Sequence, residues 1–238
     1  MTAKMPLPVN SRDVVVLLHG LAETPLTMAP LEAALLQDGY RVHNPPYPST
    51  SASIETLADE FVRPLLNRFS DAHQVHFVTH SLGGVLLHAC LQDMPPANLG
   101  RVVMTAPGLQ GSEALEAYRH IWLFRMMFGP AAFQSGTEAD AFARRLVQEA
   151  GYELGVIAGC VSLDPMADLF IPWPHDGKIS VAPTKIAGMR DHLVLPTAHD
   201  LIASDPVAIA QTLRFLRSGH FFHLMAPDTK LAEPSVAA

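Results

Sequence analysis

Val75-His76-Phe77-Val78-Thr79-His80-Ser81-Leu82-Gly83-Gly84-Val85 is the stretch on which the fold turns. An apolar run that reads as a strand breaks at Thr79-His80, a lone serine follows, and after two glycines an apolar run resumes with helical character. A strand that turns sharply into a helix pushes one side chain out at a strained corner, and a small residue two positions on makes room for it. A serine on that corner is presented as a nucleophile. A plain glycine-rich connection would read the same over six residues, so the rest of the chain has to decide between them.

On either side of this stretch, apolar runs alternate with helical patterns, which points to βα units and a parallel sheet. Val14-Val15-Val16-Leu17-Leu18 is continuous and β-branched, as a strand covered on both faces should be. Residues 30–36 read as a helix closed by Gly39, and residues 40–43 as a strand running into a proline-rich loop. Ser53 is placed to cap a helix carrying Leu57, Phe61, Leu65 and Leu66 on one side. The helix after Ser81 must stop by Pro95-Pro96, and residues 101–106, 154–160 and 191–195 supply three more strands. Asp205-Pro206 opens a last helix with Ile209, Leu213 and Leu216 inward. The expectation is an α/β fold with about six strands, mostly parallel, and helices on both faces. A single domain over residues 12–223 is expected, with a helical cap at about 112–152 and a flexible tail at 224–238.

Composition narrows the function. The 238 residues are 49% hydrophobic and 16% charged, which is a globular composition. A net charge of −7 lacks the basic face that nucleic acid requires. No apolar window is long enough for a stable membrane insertion, the most apolar stretch (121–133) being interrupted by Arg125 and Gly129-Pro130. Cys90 and Cys160 show no metal spacing and read as two buried thiols. Residues 1–12 have no apolar signal core, so a cytoplasmic location is expected. There is no P-loop, no dinucleotide fingerprint and no paired His/carboxylate cluster, so neither cofactor nor metal is expected.

A nucleophilic serine needs a base, a group that orients the base, and donors for the oxygen that becomes negative. His199, in the loop between the strand at 191–195 and the final helix, is placed for the base. His80 should point away from the nucleophile and serve packing. For the orienting acid, Asp164 is closest to the end of the preceding strand, but Asp176 sits on a glycine turn before a short extended segment and is preferred. The oxyanion donors are the N–H of Leu82, at the start of a helix, and of Leu21, after His19-Gly20 at the end of the first strand.

The order Ser81, Asp176, His199, with His19-Gly20-Leu21 upstream, resembles the α/β-hydrolase superfamily, in particular its small bacterial lipase/esterase-like branch. The likeness covers roughly residues 12–220 and departs at Thr79, where the family's first elbow residue is usually glycine. It implies a minimal sheet without the leading antiparallel strands. It also implies hydrolysis of a small-molecule acyl ester through an acyl-enzyme on Ser81. A thioesterase or amidase would use the same triad, and a binding protein on this fold would leave it idle. The apolar helical insertion suggests an acyl pocket formed by Trp122, Phe124, Met127 and Phe128, against the plainer reading that these residues are core. Oligomeric state is not legible.

Overall fold

The β-branched run at Val14 becomes the second strand of a six-stranded sheet in a computed structural model that describes residues 12–93, 95–118, 120–137 and 149–223. The strands are β1 (Val14–Leu18), β2 (Arg41–His43), β3 (Val75–His80), β4 (Leu99–Thr105), β5 (Leu154–Gly159) and β6 (Asp191–Leu195). Their order is β2-β1-β3-β4-β5-β6, and every pairing is parallel. The chain moves outward from β1 to β2, then returns to the other side of β1 as β3. That reversal leaves the loops after β1 and β3 facing each other at the carboxyl rim, where open parallel sheets gather ligands.

The period of two along each strand sorts side chains to two cores. Val14, Val16 and Leu18 share one core with Phe77, Val102 and Met104, while Val15 and Leu17 share the other with Val78, Val103 and Ile157. Helices α2 (Ile54–Leu57), α3 (Arg63–Arg68) and α4 (Leu82–Asp93) cover the first face. Helices α1 (Ala29–Gln37) and α7 (Pro206–Ser218) cover the second. Asp205 caps α7 by accepting from the N–H groups of Val207 and Ala208 at 2.8 and 2.9 Å, and Gly219 closes it in the left-handed region at φ 76°.

Sequence pattern and structure part in a few places. The helix expected from Ser53 is widened by a π turn at Ala58–Val62, because Pro64 lacks an N–H and its ring crowds the carbonyl four residues back. The segment after Asp176 forms only a bridge between His175 and Ser180, not a strand. Cys90 is buried but Cys160, at the end of β5, is half-exposed. The insertion begins as α5 (Glu113–Tyr118) and α6 (Trp122–Gln134), the latter kinked at Gly129 (φ 67°), where a Cβ would collide with the Thr50 carbonyl. The rest of the expected cap (138–148) and the tail (224–238) lie outside the described residues. No helix among the described residues is long and apolar enough to cross a membrane.

Candidate active site

Ser81 follows β3 directly and takes φ 49°, one of three non-glycine residues in the left-handed region among the described residues. That conformation is strained for a residue with a Cβ and persists only where its surroundings impose it. Here the Ser81 N–H donates to the Thr105 carbonyl (3.0 Å) and Gly83 lies against the backbone of β1. A Cβ on Gly83 would stand 2.5 Å from the Leu18 carbonyl oxygen, so α4 can start this close to the sheet only with glycine there. Thr79, in place of the usual glycine, is accommodated by Gly84, whose missing Cβ would come within 3.1 Å of the Thr79 hydroxyl.

Behind the serine runs a short chain of hydrogen bonds. Ser81 Oγ lies 3.0 Å from His199 Nε2, and His199 Nδ1 lies 2.8 Å from Asp176 Oδ2. His199 and Asp176 are almost fully buried, and the His199 N–H also donates to the Asp176 carbonyl at 3.0 Å. The second oxygen of Asp176 accepts from the N–H groups of Ile179 (2.8 Å) and Lys178 (3.0 Å), in a turn that Gly177 allows at φ 99°. Burial favours a neutral Asp176, but His199 and the two backbone donors outweigh it and hold the carboxyl below its ordinary value. Asp164 is engaged elsewhere: its Oδ1 closes a local turn by accepting from Met166 and Ala167. The loop order therefore offers both acids, and only one reaches the imidazole.

The β1 loop faces the same point. Its Gly20 N–H donates to Glu23 Oε2 at 2.8 Å and its Ala22 N–H to Ser49 Oγ at 2.9 Å. The Leu21 N–H has no acceptor among the described residues, the Leu82 N–H opens α4, where a helix offers no carbonyl of its own, and both residues line the cavity beside Ser81. Tyr47 stacks on His19 with ring centroids 4.1 Å apart and donates its hydroxyl to the His19 carbonyl. His80 is buried as expected, but it does not turn away. Its ring centroid is 4.9 Å from that of His199, and its Nε2 is 3.1 Å from Glu23 Oε1, misaligned for a hydrogen bond. Glu23 went unnoticed in the sequence, where the one available signal was an acid three residues beyond His19-Gly20 in an otherwise uncharged loop.

Ser81 and His199 open onto a cavity of about 140 Å³ walled by Leu21, Leu82, Val85, Leu115, Tyr118 and Phe128. Of the four expected pocket residues, Phe128 lines this space and Met127 is 59% exposed outside it. The side chains of Trp122 and Phe124 lie outside the described part of the structure. Among the described residues no group of three or more His, Cys, Asp or Glu is arranged to hold a metal ion.

A family model described as the alpha/beta hydrolase family matches residues 15–233. No curated protein matches the chain in sequence. Among solved structures it is similar to the mature form of a lipase from Bacillus licheniformis. That pair has a TM-score of 0.68 at 14% identity, covering 89% of this chain and 94% of that one. A metagenomic carboxyl esterase gives 0.67 at 19% identity over 84% of this chain and 68% of its own. Phospholipase PlaB from Legionella pneumophila gives 0.65 at 16% identity, over 86% and 60%. At these identities the likeness concerns the fold.

Proposed function

The chain belongs to the α/β-hydrolase family, and from that premise we propose that it is a serine hydrolase cleaving carboxylic esters through an acyl-enzyme on Ser81. The observation that carries the reading is the continuous path from Asp176 through His199 to Ser81, 2.8 and 3.0 Å per link, ending at a cavity. In this mechanism Ser81 Oγ attacks the ester carbonyl carbon while its proton passes to His199 Nε2. The carbonyl oxygen gains the negative charge and sits between the N–H groups of Leu21 and Leu82, whose fixed dipoles need no reorganisation. Collapse expels the alcohol, which takes the proton from Nε2. Water then attacks the acyl-enzyme, gives a proton to His199, and the acid leaves as Ser81 recovers its hydrogen. Asp176 keeps the proton on Nδ1 throughout, so that Nε2 can face the serine.

The catalytic unit is taken as residues 12–223, with residues 112–152 as its cap, working in the cytoplasm on small esters. The cavity wall is mostly apolar, which suits an acyl chain. Its volume of about 140 Å³ is close to the ~150 Å³ that accommodates a benzene-sized guest, so acyl groups of about four to six carbons fit best. The test is a panel of p-nitrophenyl esters and matching thioesters with wild type and Ser81→Ala, alongside fluorophosphonate labelling. Hydrolysis should peak at butanoate to hexanoate, exceed that of thioesters and vanish with labelling in the variant. Labelling that survives Ser81→Ala would overturn the nucleophile, and faster thioester turnover would move the substrate class.

A further inference from the structure

Leaving β1, the chain presents three successive N–H groups at the rim, and only the middle one is open. Gly20 is taken by the Glu23 carboxylate and Ala22 by the Ser49 hydroxyl, which leaves Leu21. The backbone does little to close this turn by itself, since the Glu23 N–H lies 3.4 Å from the Gly20 carbonyl, at the weak end of hydrogen bonding. The charge-assisted bond of 2.8 Å from Gly20 to Glu23 is the strong closure. Glycine at position 20 leaves room for it, since a Cβ there would stand 3.0 Å from the Glu23 carboxyl carbon and press the carboxylate aside.

The other carboxylate oxygen lies beside His80. Thr105 gives its hydroxyl proton to the Thr79 carbonyl (3.1 Å), so its oxygen is left to accept from His80 Nδ1 at 3.3 Å. That arrangement turns His80 Nε2 toward Glu23 Oε1, at 3.1 Å, and lays the His80 ring against His199. Burial works against a charged Glu23, yet the His80 contact, the Gly20 N–H and His199 together hold it down to about 2. Glu23 therefore stands ionised on the cavity wall, with Oε2 bonded to the Gly20 N–H and Oε1 beside His80 Nε2.

We propose that Glu23 is the positioning residue of the oxyanion loop: its carboxylate takes up the Gly20 N–H and so leaves the Leu21 N–H as the donor turned on the reacting carbonyl. This rests on the reading of Ser81 as nucleophile. It differs from a merely structural role because it predicts a loss in the reaction step rather than in substrate binding.

The experiment measures the second-order rate of Ser81 labelling by a fluorophosphonate, whose phosphoryl oxygen uses the same donors, together with kcat and KM on p-nitrophenyl butanoate. Misplacing a donor should cost somewhat less than deleting one, so Glu23→Ala should slow labelling and kcat about 10- to 100-fold with KM within about twofold. Glu23→Gln keeps a carbonyl oxygen for Gly20 and should stay within about threefold of wild type. Should Glu23→Ala fail to fold, Glu23→Asp keeps the charge but withdraws it by one methylene, and it should be slow as well. A folded Ala or Asp variant labelling at the wild-type rate, a loss confined to KM, or a Gln variant as slow as Ala would overturn the clamp. A wild type with no labelling at Ser81 would overturn the nucleophile and the clamp together, whereas a labelled wild type indifferent to residue 23 removes only the clamp.

Discussion

Two carboxylate–imidazole pairs meet behind Ser81, Asp176 with His199 and Glu23 with His80, and they are built for different ends. Asp176 holds its imidazole by a direct bond of 2.8 Å and is fixed by two backbone donors, so His199 has one orientation and its far nitrogen reaches a hydroxyl. Glu23 meets its imidazole off the line of a hydrogen bond and gives its other oxygen to the backbone of a loop. The same two functional groups thus turn an imidazole toward a hydroxyl in one case and meet a backbone N–H in the other. What separates them is the group at the far end: a hydroxyl in one, a peptide N–H in the other.

Breaking the first pair at its far end should have the largest effect. Ser81→Ala is expected to lower kcat about a million-fold on the best ester, read against the uncatalysed rate, and residual turnover above that would mean another nucleophile. Next comes its near end. Asp176→Asn should leave His199 in the wrong tautomer and cost about 10,000-fold in kcat, whereas Asp164→Asn, which disturbs only a local turn, should cost less than about threefold. The reverse ranking would transfer the orienting role to Asp164. The Glu23 series of the preceding section falls third, and a loss as large as that of Asp176→Asn would mean the two pairs do not differ in kind.

Two smaller effects sharpen the contrast from outside. Gly83→Ala would press a Cβ against the Leu18 and His19 carbonyls and should cost about 1–3 kcal/mol of stability, seen as a lowered melting temperature with slower Ser81 labelling. His76 is an imidazole with neither role: buried, its Nδ1 accepts the Arg101 N–H at 2.8 Å, and burial first, with lesser charge effects, holds it down to about 4. Its folded value lies below the ordinary 6.5, so the unfolded chain binds the extra proton first. The stability it confers is whole above 6.5 and is lost as pH falls toward 4, at no more than ~1.4 kcal/mol per pH unit. His76→Asn, compared with wild type in urea melts at pH 7 and 5, should flatten that slope while leaving the pH dependence of labelling unchanged.

Much of this geometry is legible along the chain because it is local. The unbroken Val14–Leu18 run announces a strand buried on both faces, and Asp205-Pro206 announces a helix start from carboxylate capping chemistry alone. The convergence of Ser81, Asp176 and His199 is likewise readable, since all three follow strand ends and parallel strands bring those ends to one rim. The orientation of His80 is not legible along the chain because its neighbours are remote in sequence: Glu23 from the β1 loop, Thr105 from β4 and His199 from beyond β6. The accommodation of Thr79 by Gly84 escaped for a similar reason, because it depends on how closely α4 approaches β3.

Sequence by itself determined the alternation of strand and helix, the serine corner and the order of Ser81, Asp176 and His199 along the chain, because hydrophobic period, turn chemistry and capping act over a few residues. Tertiary structure alone decided which acid reached the imidazole, which N–H stayed open and how large the cavity was. Those outcomes are set by distances of a few tenths of an ångström between segments up to 118 residues apart, and no local pattern specifies such distances.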